Sequence, residues 1–255
     1  MYSVSYDSVD VLHAFAVDRD ITFPLLSDHD SELIDRLGLR NTRIRPQSEH
    51  YGVAYRDRYE GVGHPGTFVL DERGVVVERH FEQSYRLRPT GAVLVDELTG
   101  EGESGEGVRA TAFAPGLAVT AVCPDAEYRP WMRSKMSVSV SFEEGLHAYA
   151  PPTPAGYTQL TVELSAPDLH VGRVEYPPGE AFSIVGLEES FFVYEDDVRL
   201  EIPFAFTQNR GATDLEVRVR FQLCSSDECF VPDEVTMRLR LEGADHDLPV
   251  PPLPD

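Results

Sequence analysis

The segment Leu215–Leu241, LEVRVRFQLCSSDECFVPDEVTMRLRL, decides the fold of the larger part of this chain. Period-two alternation of apolar and polar residues along both arms predicts two half-buried antiparallel strands joined by a tight turn. The turn carries Cys224 and Cys229. Across the mouth of a hairpin, the Cβ atoms of two cysteines can approach to roughly 4 Å, as a disulfide requires. The sequence therefore predicts a local, reversible thiol pair.

The region around this hairpin is rich in further strand patterns, separated by clusters of Pro, Gly and Asp. This arrangement predicts an all-β, immunoglobulin-like sandwich over residues 109–243. Residues 244–255 are proline-rich and are expected to form a disordered tail. The predicted strands before the hairpin are Leu117–Cys123, Met136–Phe142, Gln159–Leu164, Val171–Tyr176, Phe191–Tyr194 and Val198–Phe206.

Residues 1–98 show a different, α/β pattern of strand, helix, short elements, hairpin and helix. The first helix is expected to begin after Asp7 or Ser8, both of which are favourable N-caps. A hairpin is predicted over Thr67–Phe81, and a closing helix over Thr90–Leu98. Residues 99–108 are rich in Gly and Glu, which predicts a flexible linker between two domains.

The composition excludes several classes of function. The 255 residues carry a formal net charge of −22, and a surface this acidic repels nucleic acid and anionic lipid. No apolar run reaches the roughly 18 residues of a membrane-spanning helix. The first residues, MYSVSYDSVD, show no signal peptide, which by itself favours a cytoplasmic location.

Four segments of the N-terminal part form a recognisable set: Val4–Asp7, Phe23–Asp28, Leu37–Leu39 and His64–Val76. Through them, residues 3–98 resemble the alkyl hydroperoxide reductase/thiol-specific antioxidant group, the peroxiredoxins and redoxins of the thioredoxin-like fold. The resemblance implies that Pro65 occupies a cis-proline position. It also implies that His64 and Pro65 lie on the substrate side of a redox centre.

The departure from this family is as informative as the resemblance. The chain begins at what would be the second strand of such a domain, and residues 1–98 contain no cysteine. Because the thiolate is the nucleophile, this part cannot run peroxidase or exchange chemistry alone. We therefore expect an incomplete thioredoxin-like domain with unpaired strand edges, either because the chain is N-terminally truncated or because it is a true short form.

A second set of segments lies in the C-terminal part: His147–Tyr149, Tyr157–Leu160, Phe192–Glu195, Val198–Pro203 and Gln222–Pro232. Residues 109–242 resemble, through them, the N-terminal immunoglobulin-like domain of the thiol:disulfide interchange protein DsbD and its relatives. The resemblance implies that Cys224 and Cys229 form the active pair, which takes electrons from a transmembrane partner and passes them to periplasmic thiol proteins. It implies an extracytoplasmic location, and it places Phe192 and Tyr194 in a segment that caps the cysteines.

These observations support a thiol–disulfide oxidoreductase component that exchanges through Cys224 and Cys229, with a thiol or disulfide protein as partner. Two alternatives stay open: a truncated peroxiredoxin-type antioxidant protein, and a non-catalytic interaction module with a structural disulfide. Both cysteines are expected near the surface, where Asp227 and Glu228 would raise the thiol pKa and slow attack. Cys123 is expected to be a small buried thiol.

No cofactor is implied by the sequence. A zinc site built from the cysteine pair and distant histidines such as His147 or His170 is disfavoured, because the spacing is not that of zinc knuckles. No phosphate-binding glycine loop or dinucleotide fingerprint is present in the sequence.

Overall fold

The structure is a computed structural model that describes residues 1–46, 54–56, 59, 61–81, 88–99, 107–183 and 190–245. Contacts divide the chain into two compact units, residues 1–85 and residues 86–255. The first is a small α/β unit and the second is predominantly β. The predicted linker and tail fall largely outside the described residues, and their flexibility stays a prediction.

The first unit contains two short two-stranded sheets. The parallel pair joins β1 (Ser3–Ser5) to β2 (Leu25–Ser27), and the antiparallel hairpin joins β3 (Thr67–Leu70) to β4 (Val76–His80). Among the described residues these two pairs do not merge into one sheet, as expected for an incomplete thioredoxin-like domain with unpaired edges. The first unit also contains the helices α1 (Val9–Asp18) and α2 (Glu32–Arg36).

The predicted first helix is confirmed, with Ser8 in extended backbone conformation at its N-cap. Leu12 and Ile34 are the apolar side chains that α1 and α2 bury. The predicted hairpin is also confirmed, but Val76 and Val77 on β4 are 49% and 62% exposed. The first unit therefore has a thin core.

The helix predicted to close the first domain packs on the second unit instead. Strand β5 (Arg88–Pro89) pairs in parallel with a long strand of the sandwich, β9 (Met132–Phe142). Helix α3 (Gly91–Thr99) follows directly. The Thr90 hydroxyl caps it, accepting the Val93 N–H and donating to Asp125. Val93 is 2% exposed, so burial of this apolar side chain helps to hold the helix in place.

The second unit is an immunoglobulin-like sandwich whose core lies between two large sheets. Besides β5 and β9, its strands are β6 (Val108–Ala114), β7 (Leu117–Cys123), β8 (Glu127–Tyr128), β10 (His147–Tyr149), β11 (Thr161–Ser165), β12 (Leu169–Val171), β13 (Glu180–Ser183), β14 (Ser190–Tyr194), β15 (Val198–Phe206), β16 (Thr213–Phe221), β17 (Leu223–Cys224) and β18 (Asp233–Gly243). One large sheet has the strand order β12-β15-β9-β7-β6, with β5 attached to β9, and the other has the order β11-β16-β18-β8. A third, smaller sheet has the order β13-β14-β10-β17.

The alternation in Leu215–Leu241 has the predicted consequence. Val217, Val219 and Phe221 on β16 are at most 2% exposed, while their polar neighbours face outward. Across the sandwich, alternating residues of β7, β9 and β15 complete one continuous apolar core. The two faces interdigitate as expected for packed antiparallel sheets.

The tight turn predicted between the arms is wrong. Strands β16 and β18 pair without interruption until Phe221 lies opposite Asp233. The chain between them leaves this sheet, and Leu223–Cys224 joins the third sheet as β17. The cysteines therefore lie on an excursion between two layers and not on a simple hairpin end.

Candidate functional site

The small third sheet places Cys224. His147 lies opposite Cys224 in the antiparallel pairing of β10 with β17. Tyr149 lies opposite Val193 of β14, on the same face of the sheet. Directly paired residues in antiparallel strands point to one face, so Cys224 shares its face with these side chains. The opposite face, which includes Ala148, packs into the sandwich core.

Cys224 and Cys229 form a disulfide with an S–S distance of 2.17 Å. The intervening chain folds back on itself, and the Ser225 N–H donates to the Glu228 carbonyl at 2.8 Å. The Ser225 hydroxyl oxygen accepts the N–H groups of Asp227 and Glu228. Closure of this short loop brings the two sulfurs together, so the predicted pair is confirmed as a bonded pair.

The two sulfurs differ sharply in their surroundings. Cys224 is 1% exposed, so the expectation that both cysteines lie near the surface is wrong for this residue. Cys229 is exposed, within an unbroken exposed run over residues 226–234. Cys229 is therefore the more accessible cysteine of the bonded pair.

An aromatic cluster encloses the buried sulfur. Tyr149 and Phe191 are both 0% exposed, with ring centroids 5.5 Å apart, and Tyr157 packs against both rings. The hydroxyl oxygen of Tyr149 lies 3.3 Å from the Cys229 sulfur and 3.4 Å from the Cys224 sulfur. Burial raises the pKa of Tyr149, which keeps the phenol neutral and able to donate a hydrogen bond.

The capping residues inferred from sequence are displaced by one position. Phe192 is 40% exposed, and the Tyr194 hydroxyl donates to the Pro177 carbonyl on the core side. Burial raises the pKa of Tyr194 to about 12. Phe191 and Val193 are the side chains of β14 that pack with Tyr149 and Cys224. The sequence carries a signal for this pair of residues, because the period-two alternation of a strand places residues 191 and 193 on the same face of β14.

His147 is a second polar group within this layer. It is 4% exposed, and its ring centroid lies 4.6 Å from that of Phe182. Its Nε2 atom has no hydrogen-bond partner among the described residues. Burial lowers the pKa of His147, against a smaller opposing effect of Glu195, so the neutral imidazole is favoured.

The residues predicted on a substrate side lie in the first unit. His64 is exposed, and its backbone N–H donates to the Leu39 carbonyl. The cis conformation expected for Pro65 is wrong, because the cis peptide among the described residues is Pro151–Pro152. No cysteine accompanies His64 and Pro65 in residues 1–85, so their substrate-side role stays a prediction.

Cys123 is buried and unbonded, as expected. Its sulfur lies 3.7 Å from the Ser134 hydroxyl oxygen, and that hydroxyl donates to Asp125. Burial raises the pKa of the Cys123 thiol to about 11, so it is protonated at neutral pH. This thiol has the properties of a packing residue rather than a nucleophile.

Comparison with known families supports the two-part organisation. Residues 1–79 match the AhpC/TSA family, and residues 120–241 match the family described as thiol:disulfide interchange protein DsbD, N-terminal. The chain is thus similar to the AhpC/TSA family in its first part and to the DsbD N-terminal domain in its second part. Together these matches support a role in thiol–disulfide interchange in general terms. No curated protein matches the chain.

Solved structures with detectable similarity include the N-terminal periplasmic domain of ScsB from Proteus mirabilis. That match has 16% identity and a TM-score of 0.38, and covers 54% of this chain and 52% of that chain. The reduced DsbD N-terminal domain of Neisseria meningitidis matches at 15% identity and TM-score 0.33, over 54% of this chain and 86% of that chain.

A third match comes from the Neisseria meningitidis complex between the DsbD and PilB N-terminal domains. It has 14% identity and a TM-score of 0.32, covering 41% of this chain and 73% of that chain. The chain therefore spans about half the length of the ScsB structure, at 52%, and more of the DsbD structures. Within the described part of this chain, no helix is both long enough and apolar enough to cross a membrane.

Proposed function

We propose that the second unit is a thiol–disulfide exchange domain that transfers electrons through the Cys224–Cys229 disulfide. One observation carries this proposal: an exposed cysteine is bonded to a buried one, and the hydroxyl of Tyr149 contacts both sulfurs. A disulfide that only stiffens the sandwich has no need of this asymmetry. An exchange disulfide needs one sulfur open to attack and a stabilised leaving thiolate.

The reaction balances as a two-electron exchange with a dithiol protein. A thiolate of the partner attacks the Cys229 sulfur, forming a mixed disulfide and releasing Cys224 as a thiolate. The partner's second thiolate then attacks its own sulfur in the mixed disulfide and releases the Cys229 thiolate. The partner ends as a disulfide, and Cys224 and Cys229 take up two protons as thiols.

Tyr149 assists the first of these steps. Burial disfavours the charge that forms on Cys224, because a thiolate in apolar surroundings loses its hydration. The neutral hydroxyl of Tyr149, 3.4 Å from this sulfur, is placed to donate to the thiolate. Donation to the charged form lowers the energy of the leaving group and so favours bond cleavage.

The partner and the compartment are proposed by analogy with the similar proteins. The ScsB domain is described as periplasmic, and the DsbD domain was solved in complex with a PilB domain. We extend these properties to this chain as a proposal: a thiol or disulfide protein is its partner, and the exchange occurs outside the cytoplasm. The first unit, having no cysteine, takes no covalent part.

Single-cysteine variants test the proposal. Cys224→Ser keeps the exposed thiol, and Cys229→Ser keeps the buried one. With neutral dipyridyl disulfide as probe, we expect the first variant to react at least about tenfold faster, since access controls thiol reactivity. Equal rates would contradict the assignment of roles. A reduction potential below about −300 mV would favour the alternative of a structural disulfide.

A further inference from the structure

The surface around the exposed Cys229 has a mixed chemical character. We call residues 226–234, all exposed, the cysteine-loop surface. Immediately after Cys229, Phe230 is 44% exposed and Val231 is 83% exposed. Two large apolar side chains presented beside a reactive sulfur are costly in water and become favourable when a partner covers them.

The rim of this surface is acidic. Asp227 and Glu228 precede Cys229, and Asp233 follows the apolar pair. Glu234 differs from them, because it lies opposite Arg220 and its carboxylate is 4.0 Å from the Arg218 guanidinium. Three carboxylates therefore determine the local charge, on a chain whose net charge is already −22.

We infer that the cysteine-loop surface docks a thiol protein whose reactive cysteine lies in an apolar patch with a basic rim. This inference rests on the proposed function, because it assumes that the partner attacks Cys229. The apolar centre supplies contact area at the sulfur, and the opposite charges steer the encounter and fix its orientation. A partner with an acidic rim is rejected by like-charge repulsion.

The charges also argue against a second copy of this chain as the occupant. A symmetric contact through this surface would place Asp227, Glu228 and Asp233 of one copy against the same residues of the other. Like charges held together across an interface oppose association. Charge complementarity therefore favours a partner of opposite sign over self-association.

Two reduced peptides test the inference. Both carry one cysteine beside a leucine, flanked by lysines in one peptide and by glutamates in the other. For each peptide we measure the rate at which it opens the disulfide of the full chain. This rate is divided by the rate at which the same peptide reacts with neutral dipyridyl disulfide. We expect the lysine peptide to be at least about tenfold faster at 0.1 M salt, falling to about threefold or less in 1 M salt.

Two triple variants locate the effect. Asp227→Asn with Glu228→Gln and Asp233→Asn is expected to remove most of the preference for the lysine peptide. The matched control neutralises Asp214, Glu127 and Glu242 at the other end of the same sheet. Asp214 is seven residues from Phe221 along β16, about 23 Å, which exceeds the Debye length of about 10 Å at 0.1 M salt.

Val231→Ser tests the apolar centre, and it is expected to slow both peptides while leaving reduction by neutral dithiothreitol unchanged. Suppose that dithiothreitol opens the disulfide but the chain shows no preference for the lysine peptide, or that both triple variants reduce this preference equally. The partner inference then fails, while the proposed function stands. If dithiothreitol cannot open the disulfide in the folded chain, the proposed function fails. Sedimentation experiments measure whether the chain self-associates with increasing concentration. If it does, and if Cys229 is shielded in the associated form, the inference is overturned in favour of a second copy as the occupant.

Discussion

Replacing Tyr149 with phenylalanine removes the one hydroxyl that contacts both sulfurs while keeping the buried ring. A hydrogen bond to a charged group is worth about 1.5–3 kcal/mol, and the charged group here is the Cys224 thiolate formed on opening. Since 1.36 kcal/mol corresponds to one pKa unit, we expect the pKa of the Cys224 thiol to rise by roughly 1–2 units. Reduction of the disulfide slows because a more basic thiolate leaves less readily.

Two measurements check this expectation. The pKa of Cys224 is measured in a Cys229→Ser background, from the ultraviolet absorbance of the thiolate, with and without Tyr149→Phe. The rate of disulfide opening by dithiothreitol is measured by stopped flow in the otherwise unmodified chain. The slowing is bounded by the full loss of the hydrogen bond, roughly 10-fold to 150-fold for 1.5–3 kcal/mol, and is smaller if the bond forms only partly in the transition state.

Tyr157→Phe is the matched control. Its ring packs 5.1 Å from that of Tyr149 in the same cluster, yet its hydroxyl contacts neither sulfur among the contacts described. This variant is expected to leave both the Cys224 pKa and the opening rate near those of the unmodified chain. The reasoning is refuted if Tyr149→Phe, correctly folded by circular dichroism, changes neither quantity, or if both variants change them equally.

Three further outcomes are expected. After reduction, alkylation under native conditions labels Cys229 first and Cys123 last, because the latter is buried with a pKa of about 11; peptide mass spectrometry gives the order. Leu239→Ala, at a 2% exposed core position, lowers the free energy of unfolding by about 2–5 kcal/mol in urea titrations. Burial lowers the pKa of His147, with Glu195 opposing, so the unfolded state binds more protons and stability decreases as pH falls below about 6.5; His147→Leu abolishes this dependence.

The sequence was sufficient to predict the sandwich arms because their signal is local. Val217 and Val219 alternate with charged residues, and nothing but a half-buried strand satisfies that pattern over nine residues. The same reasoning failed at the turn. Leu223 and Cys224 are both buried because their strand lies between two layers, so alternation ends there and gives no sign that the chain changes sheets.

The chemistry of the site was harder to predict because it depends on distant pairings. Tyr149 contacts the sulfurs because β10 pairs with β17, which lies about seventy-five residues later in the chain. No local pattern in the sequence indicates that pairing. The relative exposure of Cys224 and Cys229 likewise depends on tertiary packing. The sequence pattern placed the helix after Pro89 in the first domain, whereas in the structure residues 88–99 contact the second unit. The reason is again tertiary packing, because a helix pattern shows which face is apolar but not which unit covers that face.

We expect the domain to stay folded in both redox states because of where the disulfide lies in the fold. Phe221 and Asp233 close the main hairpin before the cysteine excursion begins, so the core does not depend on the sulfur bond. The bond closes a loop with a sequence separation of only 5, for which chain entropy predicts about 2 kcal/mol of stabilisation. Cys224 is also held by the backbone pairing of β17 with β10, in which it lies opposite His147. We therefore expect reduction to lower the free energy of unfolding by about 2 kcal/mol without unfolding the sandwich, since domains typically have about 5–15 kcal/mol. Urea titrations of the oxidised and reduced chain measure this difference. Loss of the folded baseline on reduction would mean that the disulfide holds the sandwich together, and a domain that unfolds in one redox state cannot return electrons through a preformed site.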